Sequence, residues 1–138
     1  MYARIFLAFC LCIGSPEYFL STTTALSENS STMITKDFVD EHIKNHKVVV
    51  FAKSDCPFSK KAKATLEAQN LKSGVMDYIN IDERPDFNEI KEYLKSLTGA
   101  GSTPRVFIGQ KFYGGGDDTV DSAKDGKLAA RLREAGAI

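Results

Sequence analysis

The residue of this chain best suited to covalent chemistry is Cys56, within Lys53-Ser54-Asp55-Cys56-Pro57-Phe58-Ser59. The β-branched and aromatic block at 48–51 reads as a strand buried on both faces of a sheet. Pro57 suits the first residue of a helix, because its fixed φ is already helical and its missing N–H would have no partner there. Cys56 is thus placed at a helix N-terminus. Unpaired N–H groups and the positive end of the helix dipole favour a thiolate, and can bring a thiol from a pKa of about 8.5 to about 3.5–7.5. Lys53, Lys60 and Lys61 push the same way. A nucleophilic thiolate is the chemistry implied. The plain alternative, a buried structural cysteine, needs neither a helix start nor flanking lysines.

A second pair of chemically capable residues is His42 and His46, four apart and able to share a helix face. A metal site would need a third ligand, and no Glu follows His42 as in the zinc-protease pattern. The expectation is therefore solvated histidines in the last turns of a helix, where a cationic form is favoured, and no metal is assigned.

The elements that must position Cys56 are readable from periodicity. A helix capped at Thr32 or Thr35 carries Ile34, Phe38, Val39 and Ile43 at helical spacing up to about His46. The strand at 48–51 and a helix over 57–70 follow, then a second strand over 76–81 and a turn over 82–86. Phe87, Ile90, Tyr93, Leu94 and Leu97 form one helical stripe, stopped by Gly99 and Gly101. The segments 106–108 and 112–113 flank Gly109-Gln110 as a hairpin, and a last helix runs from about Thr119 to Glu134 with a break expected near Gly126. This order gives an α/β sandwich with parallel and antiparallel strand pairs.

Cys56-Pro57-Phe58-Ser59 after a hydrophobic strand, with Thr103-Pro104-Arg105-Val106-Phe107-Ile108-Gly109 and Gly114-Gly115-Gly116-Asp117-Asp118 further on, resembles a glutaredoxin from about Thr35 to Ala137. The resemblance implies a thioredoxin-like fold, with a four-stranded mixed sheet flanked by helices and an extra N-terminal helix. It also implies that Pro104 is cis and faces Cys56, and that the backbone of Thr103 pairs with the cysteinyl unit of glutathione. Ser102 stands where the family usually has Val, a change of small consequence for a main-chain contact. The Gly115-Gly116-Asp117-Asp118 loop could by itself be a turn and helix cap. It resembles the loop that holds the γ-glutamyl end of glutathione, a helix N-terminus taking the carboxylate and Asp118 or Asp117 the ammonium. Lys53 and Lys91 would meet the glycine carboxylate, and Phe58 would contact the tripeptide. Lys91 stands where the family often has Gln or Arg, and it also reads as a plain surface lysine.

At 138 residues, with 43% apolar and 26% charged residues and zero formal net charge, the chain is one globular domain with a small appendage. Nothing basic enough for nucleic acid is present. Arg4 and the apolar run 5–13, too short to span a bilayer, suit a signal peptide or leader over 1–25. The Ser/Thr-rich segment 26–32 reads as a flexible spacer containing the Asn29-Ser30-Ser31 sequon, and 33–138 as the domain. The secretory pathway is the expected location. An uncleaved membrane anchor or a mitochondrial presequence are the alternatives.

Of the three cysteines, Cys10 and Cys12 lie in the leader, which leaves Cys56 alone in a processed chain. Glutathione-dependent reduction of mixed disulfides of proteins or small molecules is then expected from a monomer, with Ser59 standing where dithiol relatives have a second cysteine. Two other readings stay open: a carrier in which two chains and two glutathiones share a [2Fe-2S] cluster, and a non-catalytic glutathionylation sensor. The cluster is not favoured, because Pro57 stiffens the turn and removes a donor, where cluster-binding relatives usually have Gly or Ser.

Overall fold

The computed structural model describes the backbone of residues 15–138 and the side chains of residues 30–138. The apolar leader run 5–13 with Cys10 and Cys12, and the side chain of the sequon residue Asn29, lie outside the described residues. The chain divides at Ile34/Thr35, and the unit Thr35–Ile138 holds the sheet. Helix α1 spans Ser15–Asn45. It starts well before the expected cap at Thr32 or Thr35 and includes 26–32, where a flexible spacer is expected. No Gly or Pro occurs between Pro16 and Asn45, so the Ser/Thr residues lower helix propensity without breaking the helix.

The domain continues as β1 (Val48–Ala52), α2 (Pro57–Glu67), β2 (Met76–Asn80), a short 3₁₀ turn (Ile81–Glu83), α3 (Phe87–Thr98), β3 (Arg105–Ile108), β4 (Lys111–Gly114), α4 (Gly116–Lys124) and α5 (Lys127–Glu134). The strands form one four-stranded sheet in the order β2-β1-β3-β4. β1 pairs parallel with β2 and antiparallel with β3, and β3 pairs antiparallel with β4. This is the expected mixed sheet with helices on both faces.

β1 is central, and its alternation builds two cores. Val48, Val50 and Ala52 pack with Leu66, Val106, Ile108, Leu128 and Leu132. Val49 and Phe51 point the other way, toward Val39, Ile43, Ile90, Leu94 and Phe107. A continuous apolar run is thus required of β1, since neither face meets water. On the second face, aromatic rings form a ladder across the sheet: Phe51 meets Phe107 edge-on at 5.8 Å, and Phe107 meets Phe112 at 5.6 Å.

The part of α1 from Thr35 onward is fixed to this face by polar contacts as well. The Thr35 hydroxyl donates to Asp86 (3.1 Å), Arg84 forks onto Asp86 and covers the Phe38 ring, and the Tyr93 hydroxyl donates to Asp40 (2.9 Å).

Two helix boundaries differ from expectation. α2 ends at Glu67 rather than Asn70, which has a positive φ of 57° that Asn tolerates. The break expected near Gly126 is present, at a φ of 75°, and the first of the two helices it parts begins at Gly116 rather than Thr119. In the hairpin, Gly109 and Gln110 both have positive φ, 60° and 66°, as a type I′ turn requires.

Phe51 is fully buried at the centre of the second core. Phe51→Ala is expected to lower the unfolding free energy by about 3–5 kcal/mol, read from denaturant melts. A loss below about 1 kcal/mol would show that the ring is not part of a close-packed core.

Candidate functional site

Cys56 caps α2, with extended backbone (φ −82°, ψ 115°) and Pro57 opening the helix. The loop before it is tied down from β2's far end. The Ser54 N–H donates to both oxygens of Asp82 (3.1 and 3.2 Å), and its hydroxyl donates to Asp82 and Glu83 (3.1 Å each). The Cys56 N–H donates to the Lys53 carbonyl at 3.1 Å. The turn that aims the thiol is therefore held at both ends.

The thiol donates to the Thr103 carbonyl across 3.6 Å. The Thr103–Pro104 peptide is cis, as the resemblance implies. Burial pushes the Cys56 thiol up, but the polar surroundings of the sulfur, first the Ser59 side chain and backbone and then the Thr103 side chain and the Phe58 backbone, outweigh it, so its pKa lies below the ordinary value. Ser59 is fully buried, and its hydroxyl has no hydrogen-bond partner among the described residues. A buried donor without a partner is costly, and a thiolate beside it removes that cost. Tyr78 is raised in turn, first by burial and then by the negative charges of Cys56 and Asp82.

A cleft of about 370 Å³ runs from this point, lined by Phe58, Ser102, Thr103, Pro104, Arg105, Gly115, Gly116, Asp117 and Asp118. The structure thus brings together most of the residues singled out in the sequence. α4 begins here, and the Asp118 carboxylate accepts from the Gly115 N–H at 2.9 Å, which is one half of a capping box, because Gly115 has no side chain to return the bond. Asp118 is committed to that cap. Asp117 is exposed, and its side chain makes no hydrogen bond or ion pair among the described residues.

Lys53 and Lys91 do not line the cleft. Lys53 is exposed on the tied loop. Lys91, half-buried on α3, holds its ammonium 5.3 Å from the centre of the Phe87 ring, beside Gly101 in the chain leading to Thr103.

Three positions of the site were not evident from sequence. Asp82 anchors Ser54, and Ser102 and Arg105 form the cleft floor. Arg105 is nearly buried, donates to the Ser102 carbonyl at 2.6 Å and to its hydroxyl, and lies 5.5 Å over the Phe112 ring. Burial lowers its pKa, and the charge of Asp118 opposes that. An arginine at the start of a strand otherwise buried throughout was the available signal for such a role.

Two helix N-termini, of α2 and α4, converge on the cleft, so anions are favoured within it. Their approach depends on Gly116. A Cβ there would stand 3.0 Å from both the Cβ and the carbonyl oxygen of Phe58, and 3.3 Å from Pro104. Gly116→Ala is expected to destabilise the fold by about 1–3 kcal/mol. It should also raise the Cys56 pKa, followed by thiolate absorbance against pH. An unchanged melt and titration would show that the two helices have room to spare.

The glutaredoxin family profile matches residues 48–113. Glutaredoxin-1 of Sus scrofa is 43% identical over 101 residues, covering 73% of this chain and 95% of that protein. Among solved structures, oxidized glutaredoxin 2 from Chlamydomonas reinhardtii is 36% identical with a TM-score of 0.71, over 78% of this chain and 98% of that one. A buckwheat glutaredoxin–glutathione complex superposes with a TM-score of 0.72 at 28% identity, over 79% of this chain and 96% of that one. With its thioredoxin-like sheet, its thiol at a helix start and a relative matched along nearly all of that relative's length, the chain belongs to the glutaredoxin family.

Proposed function

We propose that this chain is a glutathione-dependent thiol–disulfide oxidoreductase that reduces glutathione mixed disulfides through Cys56 alone. The observation that carries this is the Cys56 sulfur, lowered in pKa at the start of α2, with a buried hydroxyl rather than a thiol at Ser59. The Cys56 thiolate attacks the glutathione sulfur of the mixed disulfide. That S–S bond breaks, the substrate leaves as a thiolate that takes a proton from water, and glutathione stays on Cys56. The thiolate of a second glutathione then attacks the adduct, freeing Cys56 and glutathione disulfide. The mixed disulfide and one free glutathione thus become the substrate thiol and glutathione disulfide.

The cleft supports a tripeptide pose. The Thr103 backbone suits the cysteinyl unit, and the N–H groups at the start of α4 suit the γ-glutamyl carboxylate. Asp117, not engaged elsewhere, is better free to pair with the ammonium than Asp118, which is held in its cap. Lys53 and Lys91 supply positive charge near the other end, though outside the cleft wall. The buckwheat relative was solved with glutathione, which agrees with this class of co-substrate.

Turnover of a glutathionylated peptide should show ping-pong kinetics dependent on glutathione. Cys56→Ser should abolish it, and Ser59→Ala should keep most of it. Loss of the Ser59 donor raises the Cys56 pKa, so the acid limb of the rate profile should move to higher pH. Ser59→Cys should allow an internal disulfide and raise activity on protein disulfides. Protein disulfide reduction with no glutathione requirement would overturn the single-thiol mechanism.

For location, we propose entry into the secretory pathway, supported by the sequence of residues 1–25. N-terminal sequencing of the protein from its own cells decides this, and an intact N-terminus on a cytosolic protein would sink it.

A further inference from the structure

The fold supplies the third ligand that the sequence lacked for His42 and His46. Both lie on one face near the end of α1, their rings nearly parallel (15°) with centroids 6.0 Å apart. Asp77 comes from β2, on the face turned toward α1, because its neighbours Met76 and Tyr78 pack on the opposite core while Ile79 packs on the same core as Val39 and Ile43 of α1. One Asp77 carboxylate oxygen lies 2.5 Å from His42 Nδ1 and 3.6 Å from His46 Nδ1. One donor atom from each of the three residues falls within 4.8 Å of the others.

We propose that His42, His46 and Asp77 form a binding site for one zinc-like divalent transition-metal ion. In a tetrahedral zinc site, with bonds of about 2.0–2.2 Å, neighbouring donors stand about 3.4 Å apart. The observed set needs only a small widening at His42 and closure elsewhere to reach that. As the residues stand, two imidazoles compete for one oxygen, and only His42 makes the short bond. His46 Nδ1 has a weak alternative, the His42 carbonyl at 3.4 Å. A cation shared by all three ends that competition.

Two imidazoles and one carboxylate select zinc, cobalt, nickel or copper over calcium or magnesium, which prefer oxygen alone. The side chains are 30%, 34% and 25% exposed, which leaves an entry path and room for water as a fourth ligand. The supports are stiff. Asp77 pairs with Val49 in the ladder, Ile43 and Val39 seat this part of α1 in the core, and the Phe38 ring packs edge-on against His42 at 4.5 Å. The site lies toward the start of β2, whereas Cys56 is tied through Ser54 to Asp82, past the end of that strand. A bound ion would thus clasp α1 to the sheet without touching the thiol.

The test is calorimetric titration with zinc of the full chain carrying Cys10→Ser and Cys12→Ser, because thiols also bind zinc, repeated with Cys56→Ser added. One equivalent should bind in both, and His42→Ala, His46→Ala and Asp77→Asn should each weaken it by more than about tenfold. His46→Gln serves if Asp77→Asn perturbs the edge strand. Zinc should raise the melting temperature and EDTA should reverse the rise. Cobalt in place of zinc should give ligand-field bands without thiolate charge transfer. The histidine variants should turn over the glutathionylated peptide normally. Binding that survives the histidine substitutions, that disappears with Cys56→Ser, or that shows thiolate bands alone would overturn the proposal.

Discussion

The site depends on one close approach, the packing of Gly116 against Phe58 and Pro104. Neither α2 nor α4 makes an anion-attracting cleft alone. Set start to start, with no side chain between them, they direct two sets of unpaired N–H groups and two positive dipole ends at the same space. The thiol sits at one rim of that space and the capped Gly115-Gly116 turn at the other. The sheet exists, in functional terms, to hold this geometry. β1 delivers Cys56 from below, β3 begins just after Pro104, and β4 runs directly into α4.

Thiolate stabilisation at Cys56 is distributed rather than due to any one group. Burial opposes the charge, and several modest donors overcome it. Lysines nearby in sequence do not act through direct contact, and Lys61 lies instead over the Phe58 ring at 5.6 Å. The tie from Ser54 to Asp82 matters because a donor helps only if the sulfur is held at the right distance. That places part of the control of reactivity in a residue that never reaches the cleft.

Much of this was legible in the sequence. The unbroken apolar run of β1, Pro57 after Cys56, the Gly109-Gln110 turn and the triple glycine each impose one local geometry, and each appears where expected. What escaped was set by tertiary contact. Asp82 reads as an ordinary turn residue until Ser54 is folded onto it. Arg105 reads as a surface cation until Ser102 and Phe112 enclose it. Asp77 lies 31 positions beyond His46 in the chain, and only strand pairing shows that the three share a face. The early start of α1 was missed because a Ser/Thr-rich composition weakens a helix without supplying a breaker.

The outer strands have a further effect, on how the protein associates. A sheet edge offers unpaired backbone groups that can template the addition of another strand. β2 is one outer strand, and it carries the charged Asp77 among its five residues. β4 is the other, only four residues long, and its pairing with β3 is irregular between Val106 and Phe107. Both edges are poor templates. Association is thereby steered away from sheet extension and toward the open end where the two helices start.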